Sequence, residues 1–146
     1  MTFKNEAQLK NFLLKKCKTA LINAQEKVYK IIDLHVQRFY ADYAPEMYER
    51  TYQLMHSLVK GDIRPTGNGY EVEVYFDLGS IGYSTGLQPS GEEVMSAAAY
   101  GGHGASGLKV VYGGGENVWV TPKDVLDAEA VSILAQELMA AGIPIK

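Results

Sequence analysis

One cysteine in 146 residues, Cys17, excludes an internal disulfide, and its neighbours Lys16 and Lys18 read as the solvated flank of a helix rather than groups that would activate a thiol. A reduced intracellular compartment fits that usage. No apolar run approaches the roughly 18 residues that a bilayer span requires, and Met1 to Lys10 alternates polar and apolar residues without a signal-peptide core. A soluble chain that is not exported is therefore expected. Also missing are a nucleophile elbow around any Ser, Cys or Thr and a phosphate loop of the Gly-x-x-x-x-Gly-Lys type.

Histidine is scarce. His35, His56 and His103 are the three present, and none has another ligand-type residue at metal spacing. His35 on an apolar stripe reads as a core histidine, His56 as a partly buried strand residue and His103 as an exposed loop residue. Gly102-His103-Gly104-Ala105-Ser106-Gly107 matches Gly-x-Gly-x-x-Gly literally. A dinucleotide site needs a strand before that motif and a helix opening within it, whereas here a helical stretch precedes and the strand-like Leu108-Lys109-Val110-Val111 follows. Glu71 and Glu73 share one strand face and Glu92 adjoins Glu93, so paired-carboxylate chemistry has candidates. No convergent groups accompany them, and carboxylates on an exposed strand face more simply keep that face soluble and unpaired. No catalytic residue, cofactor or metal is expected.

What is present begins with a length suited to one compact domain, 47% hydrophobic and able to bury a core without metals or disulfides. The net charge of −3 is divided unevenly: residues 1–40 carry eight Lys/Arg against three Asp/Glu, and residues 41–146 carry six against fourteen. The basic segment is either a solvated helix face or a surface that attracts nucleic acid or an acidic partner. Without aromatic and basic residues interleaved elsewhere, specific nucleic-acid binding is not expected.

Residues 5–40 contain neither Gly nor Pro, and Leu9, Leu13, Cys17, Ala20, Ala24, Val28, Ile31, Ile32, His35 and Phe39 recur at steps of mostly three and four. They predict one long amphipathic helix, of about 50 Å at roughly 1.5 Å per residue. So long a stripe needs cover along its whole extent, part of it expected from a neighbouring subunit. Pro45 ends this element, and a helical turn is expected over Met47 to Gln53.

Residues Ser57 to Arg64 and Tyr70 to Phe76 predict two antiparallel strands around the Pro65-Thr66-Gly67-Asn68-Gly69 turn, a hairpin over 57–76. Tyr70, Val72, Val74 and Phe76 fall on one face and Glu71, Glu73 and Tyr75 on the other. Fourteen of the fifteen glycines lie between Gly61 and Gly115, and the 79–115 stretch reads as a loop region where binding concentrates. Within it, Ser90-Gly91-Glu92-Glu93 has capping-box spacing and predicts a brief helix from Gly91 to Ala99. Leu108 to Tyr112 and Asn117 to Val120 suggest a looser second hairpin.

The last element is a helix over 122–141, with Thr121 as N-cap and Pro122 at its first position. Gly142 and Pro144 stop it, and Ile143-Pro144-Ile145 is placed extended along a sheet edge. The fold class is therefore α+β: a long N-terminal helix, a small antiparallel sheet with a central hairpin, and a C-terminal helix. Ten tyrosines are the remaining oddity, with Tyr40, Tyr43, Tyr48 and Tyr52 clustered after the long helix. Tyrosine gives large contact area at low entropy cost, so the cluster is either a subunit contact or an ordinary core boundary.

Three segments carry a family likeness: Tyr43-Ala44-Pro45-Glu46-Met47-Tyr48-Glu49-Arg50-Thr51-Tyr52-Gln53-Leu54, Ser57-Leu58, and Gly67-Asn68-Gly69-Tyr70-Glu71-Val72-Glu73-Val74-Tyr75-Phe76-Asp77. They resemble the neck, tail-completion and minor structural proteins encoded in the head-to-tail region of long-tailed bacteriophages and prophages of Gram-positive bacteria. The long first helix and the closing Gly142-Ile143-Pro144-Ile145-Lys146 also look similar, while the 79–115 stretch lies outside the match. The resemblance implies an α+β fold, a homo-oligomeric ring, no enzymatic activity, and a place in the virion after synthesis in the host bacterial cytoplasm.

Its implied partners are further copies of the chain and neighbouring neck or tail-tube proteins, with DNA passing through the ring and no membrane. Tyr40, Tyr43, Tyr48, Tyr52, Glu71, Glu73, Tyr75 and His103 are the candidate contact residues. The alternative is a small non-enzymatic accessory or regulatory protein that acts on a host factor or nucleic acid through its basic helix.

Overall fold

A computed structural model describes residues 2–42, 52–82, 90–100 and 120–145. Its spine is helix α1, Glu6–Asp42, of 37 residues and so about 55 Å long. Asn5 caps it: its Oδ1 accepts from the Gln8 backbone N–H at 2.9 Å, while the Gln8 side chain accepts from the Lys4 N–H at 3.0 Å. The buried face of α1 is Ala20, Ala24, Ile32, His35, Val36 and Phe39, joined by the polar Gln25. Among the described residues, nothing N-terminal to Ala20 is buried.

After α1 the described chain resumes with a single helical turn, α2 (Gln53–His56), and then the hairpin. Strand β1 (Leu58–Lys60) pairs antiparallel with β4 (Val74–Phe76), and β2 (Arg64–Pro65) pairs antiparallel with β3 (Tyr70–Glu71). The expected strands are thus present but their ladder is broken. Lys60 faces Val74 and Arg64 faces Glu71, so residues 61–63 oppose only residues 72–73. One extra residue on the first strand makes this a β-bulge, which bends and twists the ribbon. Gly61 sits in it, donating its N–H to the Glu73 carbonyl at 2.9 Å, and a Cβ at Gly61 would lie 2.6 Å from Glu73 Cγ. The alternation of burial survives: Tyr70, Val72, Val74 and Phe76 are half-buried, and Glu71, Glu73 and Tyr75 are exposed.

A 3₁₀ turn at Leu78–Ser80 carries the chain toward α3, Gly91–Tyr100. The capping box forms as the sequence predicts, with Glu93 Oε2 accepting from the Ser90 N–H at 2.7 Å and Ser90 Oγ from the Glu93 N–H at 3.3 Å. Gly91 is required here because α3 starts against the 3₁₀ turn: a Cβ would stand 2.1 Å from the Leu78 carbonyl oxygen. The core joins these pieces. Ile32, Val36 and Phe39 of α1 pack with Leu54, Leu58, Ile81 and Ala98.

Helix α4, Val120–Ala140, completes the fold. It starts before the expected cap, so Thr121 lies inside the helix. Pro122 is still tolerated because the first-turn N–H groups have no intrahelical partner to lose. Glu137 near its end meets Lys27, and Leu126 near its start packs on the Ile32, Val36 and Phe39 cluster, so α4 runs back along α1. It stops in a Schellman arrangement: Gly142, at φ 85°, donates to the Met139 carbonyl, and Ile143 donates to Leu138, both at 2.9 Å. Residues 143–145 follow without joining a strand, so the expected sheet-edge pairing does not form. The second hairpin expected around residues 108–120 falls almost wholly outside the described residues, and at its end Val120 is helical.

Candidate functional site

The hairpin lies against α1, and Gln25 bonds to its backbone. Gln25, buried on the helix, donates its amide to two carbonyls of the bulge, Gly61 O at 2.7 Å and Glu73 O at 2.8 Å. The Gly61 carbonyl takes this donor where the ladder is interrupted, and Glu73 O accepts it beside the Gly61 N–H. Beside it, Lys60 pairs with Glu26 and lies 5.0 Å from the Tyr29 ring centroid. The Lys60 hydrogen bond holds the Glu26 carboxyl below its usual range, with Lys30 adding to the effect, and the same bond raises Lys60.

On the solvent face Arg64 reaches both carboxylates, Glu71 at 3.1 Å through Nε and Glu73 at 2.9 Å through Nη2. Glu71 and Glu73 therefore close a charge cluster on an exposed strand face with Tyr75 further along. Toward the hairpin tip Lys18 covers the Tyr70 ring at 5.5 Å, and Asn68 comes to rest beside the first turns of α1.

Part of the tyrosine cluster is also assembled. Tyr40 and Tyr52 bring their ring centroids to 5.2 Å at 30°, and Phe39 meets Tyr40 edge-on at 5.6 Å. Tyr52 does this from the left-handed region, at φ 56° and ψ 14°, where a non-glycine residue is strained. Tyr43, Tyr48 and His103 lie outside the described residues. The pair Tyr40/Tyr52 and the face Glu71, Glu73, Tyr75 are two separate groupings.

The histidines divide differently from expectation. His35 is buried on α1. His56 is exposed and helical rather than half-buried and near-strand, because the chain turns once through α2 before β1 begins. Among the described residues no three His, Cys, Asp or Glu side chains come together in a group able to hold a metal ion, and no helix is long and apolar enough to cross a membrane.

The first third of α1 holds no buried residue. Leu9 and Leu13 are each 39% exposed, and with Lys10, Leu14, Cys17 and Asn68 they line an open groove of about 310 Å³. Phe12 turns away from it, packing its ring 5.2 Å from Phe3 with Lys16 above. This groove continues the α1 stripe that α4 covers further along. Gln25, Arg64 and the Lys27/Glu137 pair were not singled out by sequence reasoning. Gly61 inside a strand pattern is the signal that points toward a bulge.

From the first turn of α1 to the penultimate turn of α4, residues 5–137, the chain matches the family model described as YomN. The chain belongs to the YomN family. YomN is a protein of a Bacillus prophage region, and membership in its family is consistent with a phage-related protein. No curated protein and no solved structure matches it.

Proposed function

We propose that this YomN-family chain is a structural protein of the phage virion, acting at the head-tail connection, where copies of it assemble to complete the tail or neck. The observation that carries this reading is α1 itself. Its apolar stripe runs on through Leu13 and Leu9 for about 16 Å beyond the last buried position, Ala20, which a lone folded subunit does not require. A subunit that must meet neighbours has a use for that surface.

Three further features support it: the prophage connection of the family, the likeness of the 43–77 region to neck and tail-completion proteins, and the Tyr40/Tyr52 corner as contact area. The hairpin's exposed Glu71, Glu73 and Tyr75 offer a second contact face toward a neighbouring neck or tail-tube protein. In this reading the protein is not an enzyme, and DNA passes through the assembly without being read.

Mass spectrometry and antibody labelling of purified particles test the reading. The chain is expected in virions at the neck or tail end, and a deletion phage is expected to accumulate unjoined heads and tails. Absence from particles, with normal joining in the deletion, would overturn it. A second reading, an accessory protein acting on a host factor or nucleic acid, draws on Lys4, Lys10, Lys15, Lys16 and Lys18 along the start of the chain. It predicts binding to DNA or to an acidic protein that weakens steeply with salt.

A further inference from the structure

We infer that copies of this chain join head to tail, the uncovered arm of α1 from one copy packing on the outward face of α4 of the next. The inference rests on the assembly reading above and names the two surfaces that would carry it.

The arm, residues 6–19, presents Leu9, Leu13 and Cys17 at steps of four along one line, with Lys10 and Lys16 beside them. Lys10 makes no ion pair among the described residues, and Lys16 lies over Phe12 without a carboxylate partner. Residues 1–19 hold five lysines against one glutamate.

Helix α4 buries Pro122, Ile133 and Glu137 on its inner side. Its opposite side carries Asp124, Ala128, Val131, Ala135 and Met139 at steps of three and four, hence on one face. Val131 is 82% exposed and Met139 52%. Asp124, on this face, has no cationic partner among the described residues. In all, α4 holds four carboxylates against Lys123.

The two surfaces complement each other three ways. The lysines of one, with Lys10 unpaired, meet the unpaired Asp124 of the other, charges of opposite sign. One offers protruding leucines and the other a strip dominated by alanine and valine, which lets helix backbones approach closely. Their lengths also match, about 20 Å for the arm and about 22 Å from Asp124 to Met139 at 1.5 Å per residue.

A subunit cannot satisfy itself this way, since its own α4 already faces α1 with its inner side and ends near the point where the arm begins. The contact is therefore heterologous, and repeated it generates a ring or an open filament.

The full-length chain carrying Leu13→Glu, the chain carrying Val131→Glu, and their equimolar mixture test this by sedimentation velocity. Both positions are exposed, so each variant should keep the parent's helical circular dichroism and melting midpoint. Each alone is expected to remain monomeric at concentrations where the parent assembles, with self-affinity reduced at least about tenfold. The mixture is expected to give a one-to-one heterodimer and nothing larger, because one intact arm and one intact face remain, and that heterodimer should weaken with added salt.

Assembly of either variant like the parent, a mixture that stays monomeric, or a parent that never self-associates would each overturn the inference. These outcomes leave the virion reading to be decided by the particle analysis: a chain present in virions with both variants incorporated normally removes this interface and keeps that reading. A chain absent from virions removes the reading whatever its mass in solution.

Discussion

The two parts of α1 carry the same sequence pattern and meet different fates. From Ala20 to Phe39 the stripe is sealed by α4, the hairpin and the core cluster, whereas from Leu9 to Cys17 the hairpin tip alone lies beside it among the described residues. Helical periodicity marks a surface that needs cover but does not say which chain supplies it. The difference arises from where α4 ends. Gly142 stops it by the left-handed turn, and the rest of α1 projects past that point.

The sharpest way to separate the two parts is truncation. Ile32, 1% exposed, should cost about 2–5 kcal/mol as Ile32→Ala in equilibrium urea unfolding, since the site cannot collapse around the loss. If it costs no more than a surface change, the covered part of α1 is not the core. Next comes the clamp on the bulge. Gln25→Ala strips the amide donor from Gly61 O, leaves Glu73 O with the Gly61 N–H alone, and should cost about 1–3 kcal/mol. Hydrogen exchange across residues 58–76 should rise with it, and unchanged protection would show that the hairpin holds itself.

Gly142→Ala forces a side chain into φ 85° and should cost about 1–2 kcal/mol, fraying the last turn of α4 where the cover of α1 stops. The Lys27/Glu137 pair gives a pH dependence. Hydrogen bonds from Lys27 first and Asn23 second hold the Glu137 carboxyl below its ordinary value of 4.5. A depressed folded-state value means that the contribution is complete above about pH 4.5 and is lost as pH falls through the folded-state value. The melting midpoint of the parent should therefore drop more between about pH 5 and pH 3 than that of Glu137→Gln, and parallel acid limbs would contradict the pairing. Smallest of all, Leu13→Ala in dilute monomer should fall within about 0.5 kcal/mol of the parent.

What could be read from the sequence was local. The Ser90/Glu93 capping box, the Gly142 stop and the period of α1 each depend on residues a few positions apart, and each stands in the structure. The bulge escaped because the hairpin residues suit continuous strands; only Gly61 breaks the pattern. Gln25 escaped for a stronger reason: its partners are 36 and 48 residues away, and its role exists only once the bulge is formed. Of the candidate contacts, the Tyr40/Tyr52 pair and the Glu71, Glu73, Tyr75 face are assembled, though Arg64 ties the carboxylates together in a way that spacing alone does not reveal. The exposure of Val131 was not legible, since one apolar residue among alanines on a helix looks the same whether it faces inward or outward.

Sedimentation velocity of the full-length chain over a wide concentration series tests most directly the claim that the uncovered arm of α1 is a subunit contact. The account predicts a concentration-dependent shift from monomer to a closed or growing assembly, abolished by Leu13→Glu without loss of helical signal. A single species of 16.0 kDa at every concentration would contradict it.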